Sequence, residues 1–166
     1  MNSEWTNVTL TMEGDPNLKS DHAEIRSFVL FKNLTQRTVE IFWVNYSSKF
    51  IHYSALEPSA QVPVNTYVTH PWVFIDKSTG ERMLVRNQAV YYPEPWYTNI
   101  DPNGKLARIE VQIHYPLRNL RNICTWKIFA TLTDKQRFTE LELPKVLIEE
   151  LRECYNLFLM SNKLIK

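Results

Sequence analysis

The sequence predicts a β-sandwich of about seven to eight short strands followed by a small C-terminal α-helical domain, and three observations predict it. Eight runs of β-branched and aromatic residues, bounded by turn-forming clusters, fill residues 26–115. At Pro116 the texture changes, and apolar residues then recur at helical spacing with no further strand pattern. Aromatic residues make up 13% of the 166-residue chain, which supplies a good core for one domain with a small appendage.

Residues 1–24 are polar and turn-prone and predict a loosely ordered arm. The β runs follow in order as RSFVLFK, TVEIFWVNY, KFIHY, VPVNTYV, WVFID, MLV, AVYY and ARIEVQIHY. Clusters such as Asn33-Leu34-Thr35-Gln36, Pro58-Ser59 and Lys77-Ser78-Thr79-Gly80 separate them. These runs define a domain over residues 25–115, and residues 116–166 define a helical one. A first helix is expected over residues 117–132. At about 100° per residue, Leu117, Leu120, Cys124 and Ile128 fall on one stripe, with Ile123, Trp126, Phe129 and Ala130 nearly opposite. A second helix is expected from Leu143, with Pro144 at the first helical position. It places Leu147, Leu151, Cys154, Tyr155 and Phe158 on one face, with Val146, Ile148, Leu157 and Leu159 off it. So many apolar faces on so few helices require either a partner protein over one of them or a tail folded back onto the sandwich.

Net charge is +1 with scattered basic residues, which argues against nucleic acid or an anionic membrane as the main partner. No apolar run approaches the ~20 residues of a membrane span, and the start has no basic-then-apolar leader pattern. The chain therefore reads as soluble and intracellular, and Cys124 and Cys154 as reduced, packed thiols. The glycosylation-type triplets at Asn7, Asn33 and Asn45 are read as chance.

Catalytic chemistry has little support. Three glycines, Gly14, Gly80 and Gly104, cannot build a phosphate-cradling loop. The histidines His22, His52, His70 and His114 lack ligand spacing, so no metal site or cofactor is expected. No serine stands in a nucleophile elbow, and neither cysteine has the local signature of a catalytic thiol.

The most informative stretch is NTYVTHPWVFID, residues 65–76. Read as one strand slightly bent at Pro71, it puts Thr66, His70 and Trp72 at even spacing on one face. A hydroxyl and an imidazole beside a flat aromatic wall suit a small polar ring. A strand of Val, Thr, Tyr and Trp is equally ordinary sandwich core.

Upstream lie Trp43, in VEIFWVNY, and Tyr53, in FIHYSAL. In order and spacing, Trp43, Tyr53, Thr66, His70 and Trp72 resemble the β-domain of the von Hippel-Lindau tumour suppressor family, substrate receptors of cullin-RING ubiquitin ligases, here in a short form of invertebrate type. The likeness runs unbroken over residues 28–76, more loosely through MLVRNQ, and resumes at Tyr115-Pro116. It implies capture of an extended peptide of hypoxia-inducible factor α carrying trans-4-hydroxyproline. Thr66, where the family commonly has Ser, and His70 would hydrogen-bond the ring hydroxyl. Trp72 and Trp43 would wall the pyrrolidine, Tyr53 would offer its phenol to a peptide carbonyl, and the main chain near Asn65 would accept the hydroxyproline amide by β-addition. Asn65 stands where relatives often have His, which leaves a backbone contact but not a side-chain one. Unmodified proline would leave the Thr66 and His70 groups dry and unpartnered, at about 1–3 kcal/mol each.

The tail resembles the same family. Leu120, Cys124 and Ile128 in RNLRNICTWKI match an elongin box that docks on elongin C, with Asn119 as a capping side chain where Thr or Ser is usual. Leu143, Pro144 and Leu147 in LPKVL match a cullin box. The implied partners are elongin C, elongin B and a cullin-RING module, and the implied location is cytoplasm and nucleus. Two other classes compete. One is a carbohydrate-binding sandwich that uses Trp43, Trp72 and Trp96 as stacking platforms; the other is a small hydrolase with His70 as base, for which no nucleophile is recognisable.

Overall fold

The computed structural model describes residues 15–101 and 103–165. Six strands form: β1 Arg26–Asn33, β2 Val39–Val44, β3 Phe50–Leu56, β4 Gln61–Tyr67, β5 Trp72–Asp76 and β6 Ile109–Ile113. Two helices follow, α1 Leu120–Thr131 and α2 Lys145–Leu164, with short 3-10 turns at Trp96–Thr98 and Lys135–Glu140. One sheet has the order β4-β1-β6, with β1 antiparallel to β4 and parallel to β6; the other has the order β3-β2-β5, all antiparallel.

The two sheets share one core. Val29, Phe31, Val64, Ile109, Val111 and Ile113 from the first meet Val39, Ile41, Leu56, Trp72 and Phe74 from the second. Phe31 lies at the centre, its ring 5.0 Å from Phe74 and 5.3 Å from Trp72. Strand parity explains the selection, since alternate residues of each strand face the opposite sheet.

Among the described residues the strand count is six, fewer than the seven to eight expected, because MLV and AVYY do not form strands. The pairings in and just before them each last a single residue: Arg82 bridges Ile75, Leu84 bridges His114 and Tyr91 bridges Trp72. Consecutive residues thus find partners on different sheets, and no ladder grows. Between the two runs, Arg86 and Asn87 both take positive φ (51° and 63°) and Val85 and Gln88 bond reciprocally, a tight reversal.

Within residues 15–24, the described part of the arm, Leu18 and Ser20 are buried while residues 16, 17, 19 and 21–24 are exposed; residues 1–14 lie outside the described residues. Leu18 joins Phe42, Val44, Phe50, Val73 and Ile75 on the far face of the β3-β2-β5 sheet, together with Leu164 and Ile165 from the end of α2. This sheet is covered on both faces, which is why every residue of β5 is buried. The Asn33 triplet is no surface acceptor: the Asn33 side chain is buried and donates to the Arg37 and Leu56 carbonyls, each at 2.8 Å.

The helices make a third core from Trp126, Phe129, Phe138, Leu151 and Cys154. Gly80, at φ +76°, lets the β5 turn lie directly on α2; a Cβ there would stand 2.6 Å from the Leu157 carbonyl oxygen. Beside it the Arg118 guanidinium bonds the buried Glu81 carboxylate and lies 5.6 Å from the rings of both Tyr115 and Trp126. Burial there pushes the Arg118 pKa down to about 10. α1 begins at Leu120, three residues later than expected, because the Asn119 side chain caps it by accepting from the Asn122 N–H at 2.9 Å. Pro144 is the residue before the first turn of α2 rather than within it.

Candidate functional site

Residues 65–76 are not one strand. The chain leaves the first sheet at Tyr67, turns through Val68 and Thr69, with the His70 N–H donating to the Tyr67 carbonyl at 3.1 Å, and enters the second sheet at Trp72. This crossover, rather than even spacing, brings Thr66 and Trp72 together, and His70 joins them through Trp43, the cross-strand neighbour of Trp72. Trp72 Nε1 donates to Thr66 Oγ1 at 3.1 Å across the gap between the sheets.

Trp43 and Trp72 are opposite residues on β2 and β5, so both indoles arrive at one end of the sandwich. The Trp43 ring lies 5.2 Å from His70 at 33°, and its Nε1 donates to Ser20 Oγ at 2.8 Å. Tyr53 arrives by a different device. Ile41 pairs with Ser54 and Phe42 with His52, so Tyr53 is the extra residue of a β-bulge, and its ring rests edge-on against Trp72 at 5.2 Å. Thr66, His70 and Trp72 are buried, whereas Tyr53 is half exposed. Burial holds the His70 imidazole below its ordinary pKa, which favours the neutral ring.

The main chain beside this cluster is open. β4 is an edge strand, and the Val68 N–H donates to the Ile25 carbonyl. Alternation then makes Thr66–Ser27 and Val64–Val29 the hydrogen-bonded pairs with β1, so that Pro63, Asn65 and Tyr67 turn their main-chain groups to the free edge. Pro63 has no N–H to offer, which fits an outward position on an edge. The Asn65 side chain lies on the outer face, where its Oδ1 accepts from Arg108 Nη2 at 2.9 Å.

Four residues of this corner had gone unrecognised. The Tyr46 hydroxyl lies 3.2 Å from His70 Nε2, and the Tyr67 ring is 5.1 Å from the imidazole. Both are aromatic neighbours of the recognised residues, a signal that was present in the sequence. Ser20 and Arg108 come from distant segments and had no local cue. Ser27, opposite Thr66, keeps a buried hydroxyl with no hydrogen-bond partner among the described residues.

The second candidate region is on the helices. Leu117 and Leu120 are 89% and 75% exposed, and Cys124 is exposed beside them. Ile123, expected to be buried with Trp126 and Phe129, is exposed too. A groove of about 230 Å³ between α1 and α2 is lined by Cys124, Ile128, Leu143 and Leu147, so residues read from two separate motifs share one surface. Pro144, next to Leu143 in sequence, is exposed. Arg121 and Thr125 of α1 both engage the buried Glu150 carboxylate of α2, Thr125 Oγ1 at 3.1 Å, which fixes the groove's floor. Among the described residues no group of His, Cys, Asp and Glu could hold a metal ion, and no helix is long and apolar enough to cross a membrane.

A small two-sheet β domain with an open edge beside a buried aromatic and polar cluster, carrying helices with an exposed apolar stripe, is the architecture of a binding adaptor. Residues 18–99 match the family model of the VHL beta domain. The chain is also 37% identical over 120 residues to Protein Vhl of Drosophila melanogaster, which spans 70% of this chain and 67% of that one. This chain belongs to the VHL family.

Proposed function

We propose that this chain is the non-catalytic substrate-recognition subunit of an elongin-cullin-RING ubiquitin ligase. In this reading residues 25–115 read the degron, and residues 116–166 dock on the ligase. The degron is a peptide of hypoxia-inducible factor α carrying trans-4-hydroxyproline, which the complex marks for ubiquitylation and proteasomal degradation.

The observation that carries this reading is the open edge of β4, which carries Thr66 and turns directly into the segment with His70. A peptide added to that edge gains main-chain hydrogen bonds at Asn65. Its proline ring would meet the Trp43 and Trp72 indoles, and its hydroxyl would meet Thr66 and His70. A proline without the hydroxyl takes water from both groups and returns nothing, at about 1–3 kcal/mol each. Two such penalties make a switch of orders of magnitude from one oxygen atom. Leu120, Cys124 and Ile128 would dock on elongin C, which brings elongin B, while Leu143, Pro144 and Leu147 would meet the cullin at the shared groove.

The test is calorimetric titration of the full chain, copurified with elongins B and C, against the peptide in its hydroxyproline and proline forms. Tight binding of the hydroxylated form alone, lost in Thr66→Ala and in His70→Ala, is expected. Equal affinity for the two forms would overturn the hydroxyproline reading.

A further inference from the structure

The corner contains an aromatic hydroxyl that neither the pattern of site residues nor the proposed peptide contacts uses. Tyr46 follows β2 in a tight turn that Asn45 organises through its side-chain oxygen, which accepts from the Ser47 and Lys49 N–H groups at 2.9 Å. The turn directs the Tyr46 ring against both Trp43 (5.9 Å) and His70 (5.7 Å), and its hydroxyl ends 3.2 Å from His70 Nε2. The other ring nitrogen, Nδ1, has no partner among the described residues.

We infer that Tyr46 is a positioning residue that holds His70 in its Nε2–H form, so that Nδ1 is an acceptor and the corner reads an alcohol as both donor and acceptor. The inference rests on the hydroxyproline reading above and follows from directions of donation. An indole N–H can only donate. Trp72 Nε1 therefore makes Thr66 Oγ1 the acceptor of their bond, which leaves the Thr66 proton to be given away. Among the described residues that proton has no acceptor, since the nearest cross-strand hydroxyl, Ser27, is itself unbonded. A ligand hydroxyl that accepts from Thr66 still carries one proton, and a neutral imidazole can take it only at its bare nitrogen.

The two ring nitrogens are coupled. If Nε2 carries the hydrogen and donates to the Tyr46 oxygen, Nδ1 is bare and the chain closes: Trp72 to Thr66, Thr66 to ligand, ligand to His70, His70 to Tyr46. Tyr46 is half exposed and passes its own proton to water. If Nδ1 carried the hydrogen instead, both Thr66 and His70 would donate to the ligand oxygen, and the ligand's proton would be stranded in a dry corner. Burial that favours the neutral imidazole is consistent with the first arrangement, because a doubly protonated ring has no acceptor. His70 faces Tyr46 and Tyr67 with Trp43 stacked on it, and no charged side chain bonds it among the described residues.

The test uses full-length chain labelled with 15N-histidine, in which nitrogen shifts distinguish the two neutral forms, alongside peptide titration. Wild type is expected to show His70 protonated at Nε2. Tyr46→Phe, which keeps the ring contacts, is expected to raise the Nδ1–H share and reduce the preference for hydroxylated over unmodified peptide by about 3- to 10-fold. A wild-type His70 protonated at Nδ1, or a form and preference unmoved by Tyr46→Phe in a chain that still selects the hydroxylated peptide, overturns the role of Tyr46 alone. A wild type with no preference between the peptides overturns the hydroxyproline reading, and this use of the tautomer with it.

Discussion

The β4 corner and the outer face of α1 are built on opposite terms. At the corner, polar side chains are mostly buried and partly answered from within: Trp72 bonds Thr66, Trp43 bonds Ser20 and Tyr46 meets His70, while the Ser27 hydroxyl has no partner among the described residues. At the start of α1 and just before it, large apolar side chains at Leu117, Leu120 and Ile123 are left in the open, while Trp126 and Phe129 behind them are sealed in a core. A site that discriminates one atom needs fixed donors in a dry surrounding, because only there does an unmet hydrogen bond cost its full desolvation. A docking face needs shape and area, and it keeps its apolar surface available until a partner covers it. The β half and the helical half are joined through the Gly80 turn and the Arg118–Glu81 pair.

The joint is where the comparison breaks most readily. Gly80→Ala places a methyl within 2.7 Å of the α2 backbone at a φ that L residues resist. A destabilisation of about 3 kcal/mol or more is expected, read as a lowered or split unfolding transition. An unchanged melt would mean that α2 does not rest on the β5 turn. Next comes the docking face. Leu120→Asp changes an exposed residue, so the melt should stay within about 0.5 kcal/mol of wild type while elongin C capture weakens by about 2 kcal/mol or more. Equal capture by the variant would remove α1 from the interface.

Smaller effects sharpen the picture. Asn119→Ala removes the cap on the Asn122 N–H and should cost about 1 kcal/mol, measurable by denaturant titration. Retained stability would show that α1 is held by Trp126 and Phe129 alone. The smallest effect is a pH dependence. Because burial lowers the His70 pKa below 6.5, the unfolded chain takes up this proton more readily than the folded one. Its contribution to stability is complete above about pH 6.5 and is lost as pH falls through the folded value. Replacing His70 with Gln should flatten the decline in stability between about pH 7 and pH 5, and identical slopes would show that His70 is not the group responsible.

Much of this was legible beforehand, for reasons specific to each element. WVFID was readable as a strand because burial on both faces leaves a continuous apolar run, and the helical switch at Pro116 was readable because period 3.6 differs from period 2. MLV and AVYY misled, since their composition is that of strands while each of their pairings ends after a single residue. Ile123 misled because periodicity assigns a residue to a face of a helix without saying whether anything covers that face.

Through its resemblance to the VHL family the sequence pointed to Trp43, Tyr53, Thr66, His70 and Trp72 as a set; by its own patterning it determined the two-part division into β and helical halves and the apolar stripe of the first helix. These depend on local composition, spacing and order along the chain. Only the tertiary structure decided how the set meets: the crossover between sheets, the bulge at Tyr53, the free edge of β4, and the contacts of Ser20, Tyr46 and Arg108. It also decided that the end of α2 and Leu18 cover the far face of the second sheet. Those are contacts between residues distant in sequence, fixed by which surfaces exclude water from one another, and no local pattern encodes them.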